Sequence, residues 1–253
     1  MMEIITSRKN PLLQKIRQLS SGGRSVREKA GEYLGDGIKL LEEALKWDVP
    51  LTTVVVTPEV TPPALPAGVR LVQVPRDVME TISPMKTPQG ALFLAQLPST
   101  TPLQRLEGNR YLVLDGVQDP GNVGTIWRSA DALGADGLLL VNGCADPYSP
   151  KVVRATMGAC FRLPVWETTV EELEGLLKTS QIPLYATALR EDTVDVRQAD
   201  LGRAAVVIGS EGRGVSQALL DRAEQTVKIP MRERCESLNA ASAAVVVLWE
   251  MGK

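Results

Sequence analysis

From residue 111 onward, short apolar runs alternate with helical patterns, and that alternation leaves few folds open. Residues 111–114, 137–141, 184–188, 204–208 and 227–229 read as strands. Between them, Val123, Ile126, Trp127, Ala130 and Leu133 mark one face of a helix, and residues 151–159 and 217–224 are also helical in pattern. Thr169 and Glu172 form a capping-box pair ahead of a helix carrying Leu173, Leu176 and Leu177. Strands joined through helices pair in parallel and need cover on both faces. The expectation is an α/β fold with a mainly parallel sheet, any ligand lying at the carboxyl ends of its strands.

The first hundred residues follow a different rhythm. Pro11 opens a helix with Leu12, Leu13, Ile16 and Leu19 on one face, and a Ser-Ser-Gly-Gly break follows at 20–23. A second helix spans 38–47, then β-rich runs at 52–57, 69–74 and 90–96 flank a helix at 77–82. These predict a small α/β domain over 1–98, a linker over 99–108 containing part of the Pro-rich LPSTTP stretch, and a second domain over 109–253.

Composition narrows the chemistry. The 253 residues contain no histidine, which removes the commonest general base and metal ligand together. Cys144, Cys160 and Cys235 lie far apart without CxxC spacing, so the sequence predicts a reducing, cytoplasmic setting and no metal. No apolar run reaches transmembrane length, so no membrane association is expected. Net charge is only -2, yet residues 1–30 hold seven bases against two acids, a local +5. Arg8, Lys9, Lys15, Arg24 and Arg27 are therefore candidate RNA-binding residues, although a solvated helix face gives the same pattern.

Three polar loops leave the predicted strands. The first runs from Asp115 through Asn122 into a helix bearing Arg128, a cation near a helix start, where the dipole favours anions. An anionic partner or a nearby Glu explains it better than the dipole does, and a surface arginine after a turn explains it equally well. The second, Gly209-Ser210-Glu211-Gly212-Arg213-Gly214, permits close backbone approach but matches neither GxxxxGK[ST] nor GxGxxG. Its central Glu211 disfavours phosphate and suits a neutral or cationic ligand. The third follows Ile229, Pro230 and Met231 through a charged run to Ser237, Leu238 and Asn239, good helix-entry chemistry ahead of an Ala-rich helix. A charged lead-in to a core helix is the plainer account of that stretch.

Taken in order, DPGNVGTIWRSADALGA, VVIGSEGRGVS and IPMRERCESLNAASAA resemble the three motifs of the SpoU/TrmH family of RNA 2'-O-ribose methyltransferases in the SPOUT superfamily. PKVVRATMGACFRLP, residues 150–164, resembles a further family segment. Residues 1–98 are similar to the small L30e-type substrate-binding domain found in that family.

The resemblance implies a C-terminal deep trefoil knot, S-adenosylmethionine as cofactor, a homodimer and an RNA substrate, ribosomal RNA before transfer RNA. Carried over by position, it implies catalytic roles for Asn122, Arg128, Glu211, Ser237 and Asn239. It implies that Thr187, Ala188, Leu189, Gly209, Ser210, Glu211, Gly212, Ile229, Met231, Ser237 and Leu238 bind the cofactor. The motifs depart from the family at Glu233, where Gly is usual, and at Thr156, where Ser is usual. Two alternatives stand beside a ribosomal-RNA ribose methyltransferase: a transfer-RNA enzyme of the same chemistry, and a non-catalytic RNA-binding or assembly protein. Which nucleotide is methylated is not legible.

Overall fold

The computed structural model describes residues 2–99, 103–232, 234 and 237–253. It divides into two compact units, Met1–Thr100 with Asp146–Phe161, and Thr101–Ala145 with Arg162–Lys253. Elements are numbered along the whole chain.

The first unit contains β1 (Glu3–Ile4), α1 (Pro11–Ser21), α2 (Arg24–Ala30), β2 (Glu32–Asp36), α3 (Ile38–Lys46), β3 (Leu51–Val56), β4 (Arg70–Gln73), α4 (Arg76–Ile82) and β5 (Ala91–Gln96). Its sheet runs β1-β4-β3-β5-β2, with β5 antiparallel to both neighbours. The side chain of Asn10 caps α1 by accepting from the Leu12 amide at 2.9 Å, and Leu12, Leu13, Ile16 and Leu19 are buried as their spacing predicts. Side chains alternate across the pleat. Leu34, Val55 and Val72 pack with α1 and α4 on one face, whereas Tyr33, Val54 and Phe93 pack with Leu40, Leu41 and Ala44 of α3 on the other.

That second face is completed by a segment distant in sequence. Residues 146–161, expected within the larger domain, pack into the first unit, where they form α6 (Pro150–Ala155) and a 3₁₀ turn at Ala159–Phe161. Val153 is fully buried there, Tyr148 stacks at a tilt on Tyr33 with ring centroids 5.2 Å apart, and Phe161 approaches Phe93 at 6.4 Å. Burial of this apolar set draws the segment across. The predicted helix over 151–159 stops early: Met157 turns to φ 50°, Gly158 follows at φ 92°, and the Thr156 hydroxyl donates back to the Val153 carbonyl at 2.6 Å. Thr156 is thus buried and satisfied, and its extra methyl is accommodated.

The second unit holds β6 (Arg110–Asp115), α5 (Pro120–Ala132), β7 (Gly137–Val141), β8 (Val165–Glu167), α7 (Val170–Ser180), β9 (Leu184–Thr187), β10 (Val194–Asp195), β11 (Ala204–Gly209), α8 (Gln217–Leu220), β12 (Gln225–Lys228) and α9 (Ala240–Met251). The predicted capping box of α7 is present. The helix predicted over 217–224 closes after Leu220, because the Glu224 amide turns to donate to Leu184 at the start of β9, 2.8 Å away. Sheet order is β10-β12-β9-β11-β6-β7-β8, and every pairing in it is parallel. The chain moves from β6 to β7 and β8 in one direction, whereas β9, β10 and β12 lie beyond β11 in the other. The order therefore reverses between β6 and β11, and the loops leaving their carboxyl ends diverge around a crevice. α9 packs on both α5 and β11.

Candidate active site

The second and third motif loops line the crevice, and the first is hydrogen-bonded to both. A cavity of about 300 Å³ opens at the carboxyl ends of β9, β11 and β12, roofed by the approach to α9. Of the expected cofactor-contacting residues, Thr187, Ala188, Leu189, Gly209, Ser210, Glu211, Ile229, Met231, Ser237 and Leu238 line it, and Gly212 does not. Gly212 stands exposed at the outer side of its loop. Gly214, Lys228, Ala240 and Ala243 also line the cavity and were not marked by sequence. Glycine at 214 is required by φ 67°, a signal that only the backbone reveals. A Cβ at Gly209 would collide with the Gly214 carbonyl, and the base of the loop closes through backbone bonds between Ser210 and Gly214 of 3.2 and 2.9 Å. A larger hollow of about 650 Å³ borders the amino end of β9, with Glu174, Lys178 and Arg222 on its rim. These charges bond to one another, and the hollow lies away from the motif loops.

Side chains of the three loops form one hydrogen-bonded series. Asn239 caps α9 through its Oδ1, which accepts from Ala241 and Ser242 amides at 2.9 and 3.3 Å. Its Nδ2 then donates to Asn122 Oδ1 at 3.2 Å, and Asn122 Nδ2 donates to Glu211 Oε1. Asn122 is itself fixed in the first turn of α5, its amide held by the N-cap Asp119 at 2.8 Å. Of the expected catalytic set, the structure thus brings Asn122, Glu211 and Asn239 into direct contact.

Arg128 projects from α5, exposed, with no hydrogen bond or ion pair to any other described residue. Ser237 is exposed on the cavity wall. Cys144, near the same strand ends, donates to the Leu114 carbonyl at 3.1 Å, and burial pushes its thiol up, away from nucleophilic use. Glu233 lies outside the described residues, as does Cys235.

The cavity suits S-adenosylmethionine chemically. Leu189 and Leu238 are 67 % and 40 % exposed at its mouth, an apolar surface that a purine ring would cover. Glu211 supplies a negative group for an amine or sulfonium.

The basic N-terminal stretch is largely self-neutralised. Arg8 pairs with Asp77 at 2.7 Å, Lys15 with Glu32 at 2.5 Å and Arg24 with Glu28 at 3.0 Å; Lys9 is exposed. Arg27 corrects the expectation outright. It is 3 % exposed, pairs with Asp146 and donates to the Gly22 carbonyl at 2.8 Å, so it anchors residues 146–161 and cannot meet a phosphate. Among the described residues no cluster of potential metal ligands occurs, and no helix is long and apolar enough to cross a membrane.

Comparison with known proteins gives the same picture. The SpoU rRNA Methylase family model matches residues 109–249, and the MRM3-like substrate binding domain model matches residues 10–92. A Bacillus subtilis protein named 23S rRNA (guanosine(2553)-2'-O)-methyltransferase RlmP is 30% identical over 251 residues, covering 99% of both chains. A Streptomyces viridochromogenes 23S rRNA (uridine(2479)-2'-O)-methyltransferase is 32% identical over 262 residues, 97% of this chain and 90% of that one. The crystal structure of an AdoMet-bound rRNA methyltransferase from Sinorhizobium meliloti superposes with a TM-score of 0.86 at 30% identity, covering 99% of this chain and 97% of the other.

Proposed function

The chain belongs to the SpoU rRNA methylase family, and from that premise we propose that it transfers a methyl group from S-adenosylmethionine to a ribose 2'-hydroxyl of ribosomal RNA. The observation that carries this reading is the Asn239–Asn122–Glu211 series, which joins the three motif loops at the cavity that Glu211 lines, with the Arg128 guanidinium left unpaired by every described residue. S-adenosylmethionine in that cavity supplies an electrophilic methyl carbon on a positively charged sulfur.

The protein's part is to hold and polarise the attacking oxygen. Asn122, Asn239 and Glu211 spend their polar atoms on one another and so fix the loops. Arg128 and Ser237 are left to face the ribose. The Arg128 guanidinium orients the hydroxyl, together with an RNA phosphate, and stabilises negative charge building on its oxygen as the proton passes to solvent water. A general-base role asks a guanidinium, the most strongly basic of the side chains, to surrender its own proton, whereas electrostatic stabilisation does not.

Methyl transfer measured against pH tests this assignment. Arg128→Ala is expected to lower kcat by about 10²–10³-fold, and Arg128→Lys to retain part of the rate without a new titration limb. A limb displaced toward the lysine range in Arg128→Lys would favour the base role. Near-wild-type rates in both variants would sink either role.

The remaining parts of the reading concern assembly and RNA. The N-terminal unit holds substrate RNA, in keeping with its domain match. The protein acts in the cytoplasm as a homodimer through its C-terminal domain, with the C-terminal segment threaded as a trefoil knot. Support for the dimer comes from α9, where Val245 and Trp249 are 39 % and 61 % exposed at helical spacing, an apolar face suited to a second copy. Sedimentation velocity on Trp249→Glu should show monomer where the wild type shows dimer; a monomeric wild type refutes this arrangement.

A further inference from the structure

Asp115 is a buried acid that the mechanism above does not use. It ends β6 at the sheet's reversal point, in register with Gly209 of β11 on one side and Val141 of β7 on the other. Its side chain is buried, and both oxygens are engaged. Oδ1 accepts from Asn142 Nδ2 at 2.7 Å, and Oδ2 accepts from the Ser216 amide at 2.6 Å. Asn142 follows β7 in the left-handed region at φ 55°, and its Nδ2 also reaches Ser216 Oγ at 3.3 Å.

Ser216 is the far end of the glycine loop. The near end is part of β11, the loop base is closed by the Ser210–Gly214 backbone bonds, and Glu211 at the tip reaches Asn122. Gly209, Ser210, Glu211 and Gly214 line the cavity. Among the described residues no other hydrogen bond of the loop's polar atoms ties its exit to the neighbouring strands, and the helix that follows, Gln217–Leu220, is a single short turn. Removal of the acid would leave a buried amide donor unmatched, so the loop exit would relax.

We propose that Asp115 is a positioning residue for methyl transfer, a buried latch that clamps the exit of the Gly209–Ser216 loop to β7 and so sets the shape of the cofactor cavity. The proposal rests on the assignment of that cavity to S-adenosylmethionine. Because both partners of the latch carry side-chain amide or carboxyl groups, the contact has a polarity that exchange can test.

In Asn142→Asp the new carboxylate faces the Asp115 carboxylate, acceptor against acceptor, and rotation of neither side chain supplies a donor. Adding Asp115→Asn restores a matched pair with donor and acceptor exchanged, while the oxygen at 115 still accepts from the Ser216 amide. The exposed position 142 keeps the carboxylate hydrated, and Asp tolerates the left-handed conformation. Isothermal titration with S-adenosylmethionine and steady-state methylation should show about tenfold weaker cofactor binding in Asn142→Asp, with kcat at saturating cofactor changed less than about threefold. The exchanged double variant should return to within about twofold of wild type.

Wild-type cofactor affinity in a folded Asn142→Asp overturns the latch, as does a double variant no better than the single one. A lowered melting temperature with unchanged affinity marks Asp115 as structural only, and also overturns it. If Asn142→Asp does not fold, Asn142→Gly, at an exposed position whose backbone glycine adopts freely, should weaken cofactor binding about threefold; unchanged affinity there overturns the proposal. No binding heat from the wild type would instead overturn the cofactor assignment itself.

Discussion

At the scale of single residues, Asn239 sets the polarity of the site. Two backbone amides of α9 claim its Oδ1, so its Nδ2 must donate; Asn122 must then accept with oxygen and donate with nitrogen, and Glu211 must accept. The direction of the series follows from the unsatisfied amides at a helix start. Asn122→Asp keeps the acceptor for Asn239 but sets a second carboxylate against Glu211. Like charges at this separation should part the first and second loops and lower kcat/KM about 30-fold, ~2 kcal/mol. Combining it with Glu211→Gln returns a donor to the contact and should recover most of that loss; no recovery in the double variant would refute the contact as the cause. The sequence names Asn122, Glu211 and Asn239 through their motifs. It does not disclose their bonds, which join residues 89 and 117 positions apart. Asp115 escaped notice for a related reason, since an acid at a strand end reads as an ordinary turn residue until burial and both acceptors are seen.

At the scale of elements, periodicity succeeded where one face of an element meets a core and failed where the cover comes from elsewhere. α1 and the central strands β6, β7, β9 and β11 of the parallel sheet are legible from their own apolar spacing, whereas the short edge strands β8 and β10 are not. β2 is not, because Glu32-Tyr-Leu-Gly-Asp36 holds only two apolar side chains, and its Gly35 lies under the Phe93 ring where no side chain fits. The 146–161 segment inverts the problem. Its residues follow β7 in sequence, yet Val153, Tyr148 and Phe161 finish the core of the first unit, and the buried Arg27–Asp146 pair ties its start to α2. The first unit is therefore discontinuous, and residues 1–98 expressed alone should lack a finished core. Phe161→Ala in the full chain should destabilise the first unit by about 2 kcal/mol, below the cost for a fully buried ring, with the loss read by hydrogen exchange at β2 and β5. Unchanged protection of those strands would show that the segment covers the face without supporting it.

At the scale of the whole molecule, net charge of -2 conceals where cations are available to RNA. In the N-terminal stretch Arg8, Lys15, Arg24 and Arg27 all have carboxylate partners, so part of their charge is already balanced. Around the crevice, Arg128, Arg213 and Arg232 are exposed and make no ion pair with any described residue. Composition cannot separate these groups, because pairing depends on acids brought close by folding, such as Asp77 beside Arg8. Each phosphate neutralised releases condensed counterions, so cations that truly meet RNA are read in the salt dependence of binding. Replacing Arg213 and Arg232 together by Ala should lower the slope of log affinity against log salt by about 1.5, at roughly 0.7–0.9 per contact. Replacing the paired Arg8 and Arg24 should change it by less than half as much. Fluorescence anisotropy of a ribosomal-RNA fragment across a salt series measures both. Equal slopes for the two double variants would move the phosphate path away from the crevice, and a larger effect at Arg8 and Arg24 would return it to the N-terminal unit.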